Sequence, residues 1–132
     1  MIKQNRVLVD SSVWVSYFRT NDSPVAEAID RLLDEDRVAL CGMVELEILQ
    51  GVREKEQANI QDLFQILYFI ESKREDYVAA GRLLNQLRVK GITIPSSDCL
   101  IASQCLRCDF LLFTLDQDFR HIRALKNYTV LN

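Results

Sequence analysis

Acidic residues stand in this chain where an apolar run stops or a helix begins. Asp10 follows Val7, Leu8 and Val9; Asp98 follows Pro95, Ser96 and Ser97; Asp116 and Asp118 follow the run from Phe110 to Leu115. A glutamate near the start of another helical stretch, Glu45 or Glu47, could join them. In an open α/β sheet the carboxyl ends of parallel strands lie along one edge, where ligands bind. Carboxylates gathered at such an edge repel one another unless a cation joins them. The chemistry expected of this pattern is that of a divalent metal ion held by oxygen ligands.

Taken singly, each aspartate has a plainer role, because a carboxylate at a helix N-terminus satisfies exposed backbone donors and complements the helix dipole. The argument for a shared site is coincidence of position. It depends on the elements that carry these residues.

Apolar patterning predicts strands over Val7 to Asp10, Val38 to Cys41, Ile66 to Ile70, Phe110 to Leu115 and Tyr128 to Leu131. The run from Phe110 is continuous, as expected of a strand buried on both faces. Ser11 or Ser12 is expected to cap a first helix carrying Val13, Trp14, Tyr17 and Phe18, after which Asn21, Asp22, Ser23 and Pro24 punctuate. Further helices are expected over Val25 to Asp34, Gly42 to Val52 and about Gln57 to Gln65. Ser72 with Glu75 matches a capping box that opens a helix ending at Gly91, and Ser96 or Ser97 is expected to cap a helix through Leu106. Strands alternating with helices imply a three-layer α/β/α sandwich with a mostly parallel central sheet of four to five strands, within a single domain spanning 1–132.

Composition fits that reading. The chain has 132 residues, 48% of them hydrophobic, ordinary for one packed core. The first residues lack a basic segment leading into an apolar run, and no stretch approaches the ~20 apolar residues of a membrane span. A cytoplasmic protein without a membrane partner is expected. Cys41, Cys99, Cys105 and Cys108 are read as reduced thiols; the Cys105–Cys108 pair lacks the second pair or spaced histidine that a zinc site needs. Net charge is −3, but setting aside five site candidates from the 19 acidic residues leaves 14 against 16 basic ones. An acidic total therefore does not exclude a nucleic-acid partner.

The helical glutamate divides two arguments. Val44, Ile48, Leu49 and Val52 define an apolar arc with Glu45 near its middle, so burial singles out Glu45 as a carboxylate needing a partner. Glu47 lies off that arc, beside Gly51 one turn later, where the missing side chain leaves room for a metal or phosphate.

The order of motifs resembles that of the PIN-domain nucleases, in particular the VapC-type toxins of bacterial toxin–antitoxin pairs. The matching residues are Val-Leu-Val-Asp10-Ser-Ser-Val-Trp-Val, Glu47 followed by Gly51, Asp98-Cys-Leu-Ile-Ala-Ser, and Phe-Thr114-Leu-Asp116-Gln-Asp118-Phe. The resemblance implies Asp10, Glu47, Asp98 and Asp116 as the site acids, with Asp118 as an alternative or addition to Asp116. It also implies Ser12 and Thr114 as supporting hydroxyls. One departure is Cys99, where the family more often has alanine.

By the same resemblance the chain is expected to be a magnesium-dependent endoribonuclease, with manganese as the other possible ion, acting as the toxin of a toxin–antitoxin pair. Asp10, Asp98 and Asp116 are the expected metal residues. The resemblance further implies RNA cleavage by metal-activated water leaving a 5'-phosphate, a cognate VapB-type antitoxin and a homodimer. Alternatives within the fold are a housekeeping PIN nuclease of RNA processing or a non-catalytic PIN-like RNA- or protein-binding module.

A phosphoacceptor receiver domain is disfavoured because Asp10 stands alone and no aspartate follows Ile66 to Ile70. A haloacid-dehalogenase-like phosphatase would need aspartate at the position of Ser12. The one histidine, His121, excludes catalysis by paired acid and base histidines. Cations for substrate phosphates are sought among Arg19, Arg53, Lys55, Arg82, Arg88, Lys90 and Arg120. Trp14, Tyr17 and Phe18 are expected to pack in the core or, through Trp14 or Phe18, to anchor an antitoxin tail.

Overall fold

The computed structural model describes residues 4–20 and 23–130. Among these, four strands form one sheet: β1 (Val7–Val9), β2 (Val38–Cys41), β3 (Tyr68–Ile70) and β4 (Leu111–Phe113), in the order β3-β2-β1-β4 with every pair parallel. Six helices flank it: α1 (Ser11–Arg19), α2 (Pro24–Asp34), α3 (Gly42–Gly51), α4 (Glu54–Gln65), α5 (Arg74–Val89) and α6 (Ser96–Cys108). The expected α/β/α architecture is present.

β1 lies between β2 and β4, and Val7, Leu8 and Val9 are all fully buried, which explains an uninterrupted apolar strand rather than an alternating one. From β1 the chain builds outward to β2 and β3 on one side and places β4 on the other. The point where the order reverses therefore falls between β1 and β4, where open α/β sheets form their ligand crevices. The register sets Val9 beside Phe113, and Asp10 N–H donates to Phe113 O at 2.9 Å. The residues that follow, Asp10 and Thr114, thus emerge side by side.

Several local expectations are corrected. The strand proposed over Tyr128 to Leu131 is reduced to one bridge between Leu112 and Asn127, supported by Leu112 N–H to Lys126 O and Tyr128 N–H to Leu112 O; Leu131 lies outside the described residues, as do Asn21 and Asp22. The capping box of α5 uses Asp76, not Glu75. Lys73 is the N-cap residue, and its N–H donates to Asp76 Oδ2 at 2.8 Å. The reason is tertiary, because Arg107 of α6 grips the same carboxylate through Nε at 2.7 Å and a terminal nitrogen at 3.0 Å.

Neither Ser11 nor Ser12 caps α1, since both lie inside it after N-cap Asp10, and neither Ser96 nor Ser97 caps α6, which follows Pro95. The other end of α5 fits expectation more closely: Gly91 adopts φ +80°, with Gly91 N–H bonded to Arg88 O and Ile92 N–H to Leu87 O, both at 2.9 Å. This is the paired closure that a left-handed residue permits.

Trp14 is fully buried and packs edge-on against Phe64, with ring centroids 5.2 Å apart. It belongs to the core and cannot anchor a partner, whereas Phe18, stacked on it, remains 37% exposed. Cys41, Cys99 and Cys105 are buried and Cys108 half-buried, all as free thiols. Burial pushes the Cys41 thiol up to about 11, away from reactive thiolate.

Candidate metal centre

Asp10 leaves β1 as the N-cap residue of α1, and its Oδ2 accepts from both Ser12 Oγ and Thr114 Oγ1 at 2.8 Å. Each hydroxyl has a single proton, and both are committed to this oxygen. Their lone pairs are used as well, since Leu115 N–H donates to Ser12 Oγ and Asp116 N–H to Thr114 Oγ1, each at 3.0 Å. Asp10 is therefore fixed from behind by α1 and by the chain leaving β4.

Asp98 comes from the first turn of α6 and is 7% exposed. Its Oδ2 is buried without a hydrogen-bond donor among the described residues. A carboxylate oxygen in that state is costly unless a cation meets it. Asp116 and Asp118 approach from the start of a short 3-10 helix, Gln117–His121, in which Asp118 N–H donates to Asp116 Oδ1 at 2.9 Å. One carboxylate oxygen from each of Asp98, Asp116 and Asp118 lies within 4.8 Å of the others. Asp10 is outside this closest set of three.

Glu47 reaches the same pocket from α3, where Ser11 Oγ donates to its Oε1 at 3.4 Å. Asp10, Ser12, Glu47, Ser97, Asp98 and Asp116 all line one open cavity of about 450 Å3. Glu45 is half-buried elsewhere on α3 and lines no part of it. The apolar arc thus points to a glutamate that lines no part of the cavity, and the space beside Gly51 to the one that faces the acids.

The electrostatics follow from crowding. Burial, and then the charges of Asp116, Asp10, Glu47 and Asp118, push the Asp98 carboxyl from an ordinary 3.8 to about 7. Burial and the charge of Asp10 hold Glu47 above the ordinary glutamate range, while the Ser11 hydroxyl pulls the other way. Five acids from four separate stretches therefore sense one another. The donors are all hard oxygens, with no thiolate or imidazole among them, a set suited to magnesium or manganese rather than zinc or copper.

The model of the family described as PIN domain matches residues 7–125. A ribonuclease of Mycobacterium tuberculosis, VapC11, is 32% identical over 126 residues, covering 92% of this chain and 94% of the relative. The chain belongs to the VapC group of PIN domains. Among solved structures, VapBC2 from Rickettsia felis bound to a promoter DNA fragment superposes on this PIN domain with TM-score 0.79 at 21% identity, covering 92% of this chain and 96% of that one. A toxin–antitoxin complex from Klebsiella pneumoniae gives TM-score 0.76 at 14% identity, covering 95% and 98%. At those identities the likeness speaks for the fold. The resemblance drawn from the acidic motifs is thereby supported over nearly the whole PIN domain.

Sequence reasoning missed Ser11, which contacts Glu47, and Ser97, which lines the cavity. The signal is present in the Ser-Ser pairs beside Asp10 and Asp98, of which only Ser12 is implied as a site hydroxyl, while Ser11 and Ser97 are expected solely as helix caps.

Proposed function

We propose that this VapC-type PIN domain is a magnesium- or manganese-dependent endoribonuclease that acts as the toxin of a toxin–antitoxin pair. The observation that carries the reading is the buried Asp98 Oδ2, unpartnered in a cavity that also gathers Asp10, Glu47 and Asp116. Asp98 and Asp116 are the residues to hold the ion, with Asp118 beside them and Asp10 completing the wall. When bound, the ion supplies a Lewis acid that neutralises charge on the scissile phosphate and makes water a better nucleophile. Ser12 and Thr114 keep Asp10 in one orientation. Glu47, its carboxylate made more basic by burial and by Asp10, is placed to take a proton from the attacking water.

The ribonuclease activity borne by the name of the 32%-identical relative supports RNA as substrate. The toxin–antitoxin complexes among the fold neighbours support a VapB-type antitoxin partner. Among the described residues no helix is long and apolar enough to cross a membrane, and a cytoplasmic site of action belongs to the proposal. Homodimerisation belongs to the same proposal. Tyr77 and Val78 of α5 are exposed beside an apolar groove lined by Met43, Ala80, Leu84 and Leu100, a face suited to a second copy.

The test is incubation of the purified chain with RNA and magnesium, with Asp98→Asn and Asp10→Asn in parallel. Cleavage is expected only in the unaltered protein. Cleavage retained in both variants, or cleavage indifferent to chelation, overturns the reading.

A further inference from the structure

Among the described residues no lysine or arginine lines the acid pocket, yet an RNA strand brings one negative charge per nucleotide to it. Cations must meet the strand close by, and the pocket is not isolated. Val15 and Glu47 also form the wall of a second groove of about 480 Å3, whose other members include Phe18, Arg19, Gly51 and Arg53. Of the seven cations singled out from the sequence, Arg19 and Arg53 line this groove, and the other five line neither space.

The groove has the mixed character a nucleotide needs. Arg19 makes no ion pair among the described residues, and Arg53 is tied to Glu56 on the exposed surface, a pairing that costs little to exchange for a phosphate. Phe18 stacks its inner face on Trp14, with ring centroids 5.7 Å apart and planes 19° apart, and is 37% exposed. An aromatic ring backed by a rigid core residue is a platform on which any unpaired base can stack. A Cβ placed on Gly51 would meet nothing within 4 Å, so the floor of the groove is open.

We infer that this groove is the subsite for the nucleotide next to the scissile phosphate in single-stranded RNA, with Arg19 and Arg53 contacting phosphate and Phe18 stacking the base. The inference rests on the ribonuclease reading and extends it to a part of the surface that the acids do not touch. Contacts of this type position the strand without selecting its sequence.

The test is the affinity of the Asp98→Asn chain, expected to be silent in cleavage, for a fluorescent single-stranded RNA oligonucleotide, measured by anisotropy across a salt series. Adding Arg19→Ala or Arg53→Ala is expected to weaken binding about tenfold, the usual cost of a lost hydrogen bond to a charged group. Each should flatten the slope of log affinity against log salt by about 0.7, the single-strand value per phosphate. Lysine at either position should restore most of the slope, which a folding defect would not allow. Arg82→Ala and Arg88→Ala, on α5, should leave affinity and slope unaltered. Gly51→Leu should weaken binding by filling the floor.

In the cleaving protein, the arginine variants should raise KM with kcat retained. Unchanged affinity, slope and KM in the arginine variants overturn the subsite while cleavage continues to support the ribonuclease reading. So does loss of antitoxin binding alone, which would assign the groove to the antitoxin tail. Absence of RNA cleavage by the unaltered protein overturns the ribonuclease reading itself.

Discussion

Thr114 Oγ1 donates to Asp10 Oδ2 at 2.8 Å across the β1–β4 pair. The bond is a product of register. Val9 pairs with Phe113, so the next residue of each strand stands at the sheet edge beside its neighbour. Removing the hydroxyl while keeping the shape, as in Thr114→Val, takes one of two donors from Asp10 and leaves Asp116 N–H without its acceptor. Loss of such an outer partner typically costs about 10- to 100-fold in metal affinity or activity. We expect Thr114→Val to weaken manganese binding by that factor in calorimetry, and Thr114→Ser to recover most of it. Unchanged affinity in Thr114→Val would remove the positioning role.

The two glutamates of α3 give a sharper contrast. Glu47→Gln removes the proposed proton acceptor from the acid pocket, and loss of a general base typically lowers the rate about 10²- to 10⁴-fold. Glu45→Gln alters a residue that lines no part of the pocket and is expected to stay within about twofold of the unaltered rate, as for most substitutions away from a site. Single-turnover cleavage of a labelled RNA separates the two. A larger loss in Glu45→Gln would place the working carboxylate on the other face of the helix.

Much of this site was legible before any coordinates. A strand buried on both faces leaves an apolar run in the sequence, and a parallel sheet puts whatever follows that run at one edge, so Asp10 and Asp116 declared themselves. What stayed hidden depended on partners far along the chain. Whether Glu75 or Asp76 closes the start of α5 was decided by Arg107, 31 residues beyond Asp76. The choice between Glu45 and Glu47 turned on which face of α3 meets the residues following β1. The strand expected over Tyr128 to Leu131 is replaced, among the described residues, by a single bridge from Asn127 to Leu112 on the edge of β4 that β1 leaves free.

Asp98 makes the metal-free protein sensitive to pH in a direction opposite to that of most paired carboxylates. Its carboxyl titrates at about 7 in the folded chain against 3.8 for an ordinary aspartate. Below the lower value both states carry the proton and folding pays no penalty; above the upper value both are ionised, and the folded state alone carries the crowded charge. Stability from this group therefore falls as pH rises from about 4 to 7, because the native state binds the extra proton. With chelator present, the gain in Tm of Asp98→Asn over the unaltered protein should grow across that interval. Magnesium should shrink the gain by stabilising the unaltered protein. A gain constant from pH 4 to 8 would mean that the acids do not couple.

The Asp76–Arg107 pair predicts a change in stability without a change in chemistry. Asp76 is 1% exposed, caps the start of α5 and receives two hydrogen bonds from Arg107, which also donates to Glu71 O at 3.0 Å. Burial alone would raise the Asp76 carboxyl; hydrogen bonds from Arg107 and from Lys73 N–H, with the charges of both residues, hold it below the ordinary aspartate range. Removing one partner strands the other, at about 3 kcal/mol for a largely buried pair. Arg107→Met and Asp76→Leu should each lower the urea midpoint accordingly, with the m-value unchanged. The double variant Asp76→Leu with Arg107→Met should recover part of the loss, because no uncompensated charge remains buried. It should not recover all of it, since Asp76 also serves Lys73 N–H, and a leucine leaves that backbone donor at the head of α5 without its acceptor. Losses that simply add in the double variant would show that the two side chains act separately and that the cap, not the ion pair, secures α5 against α6.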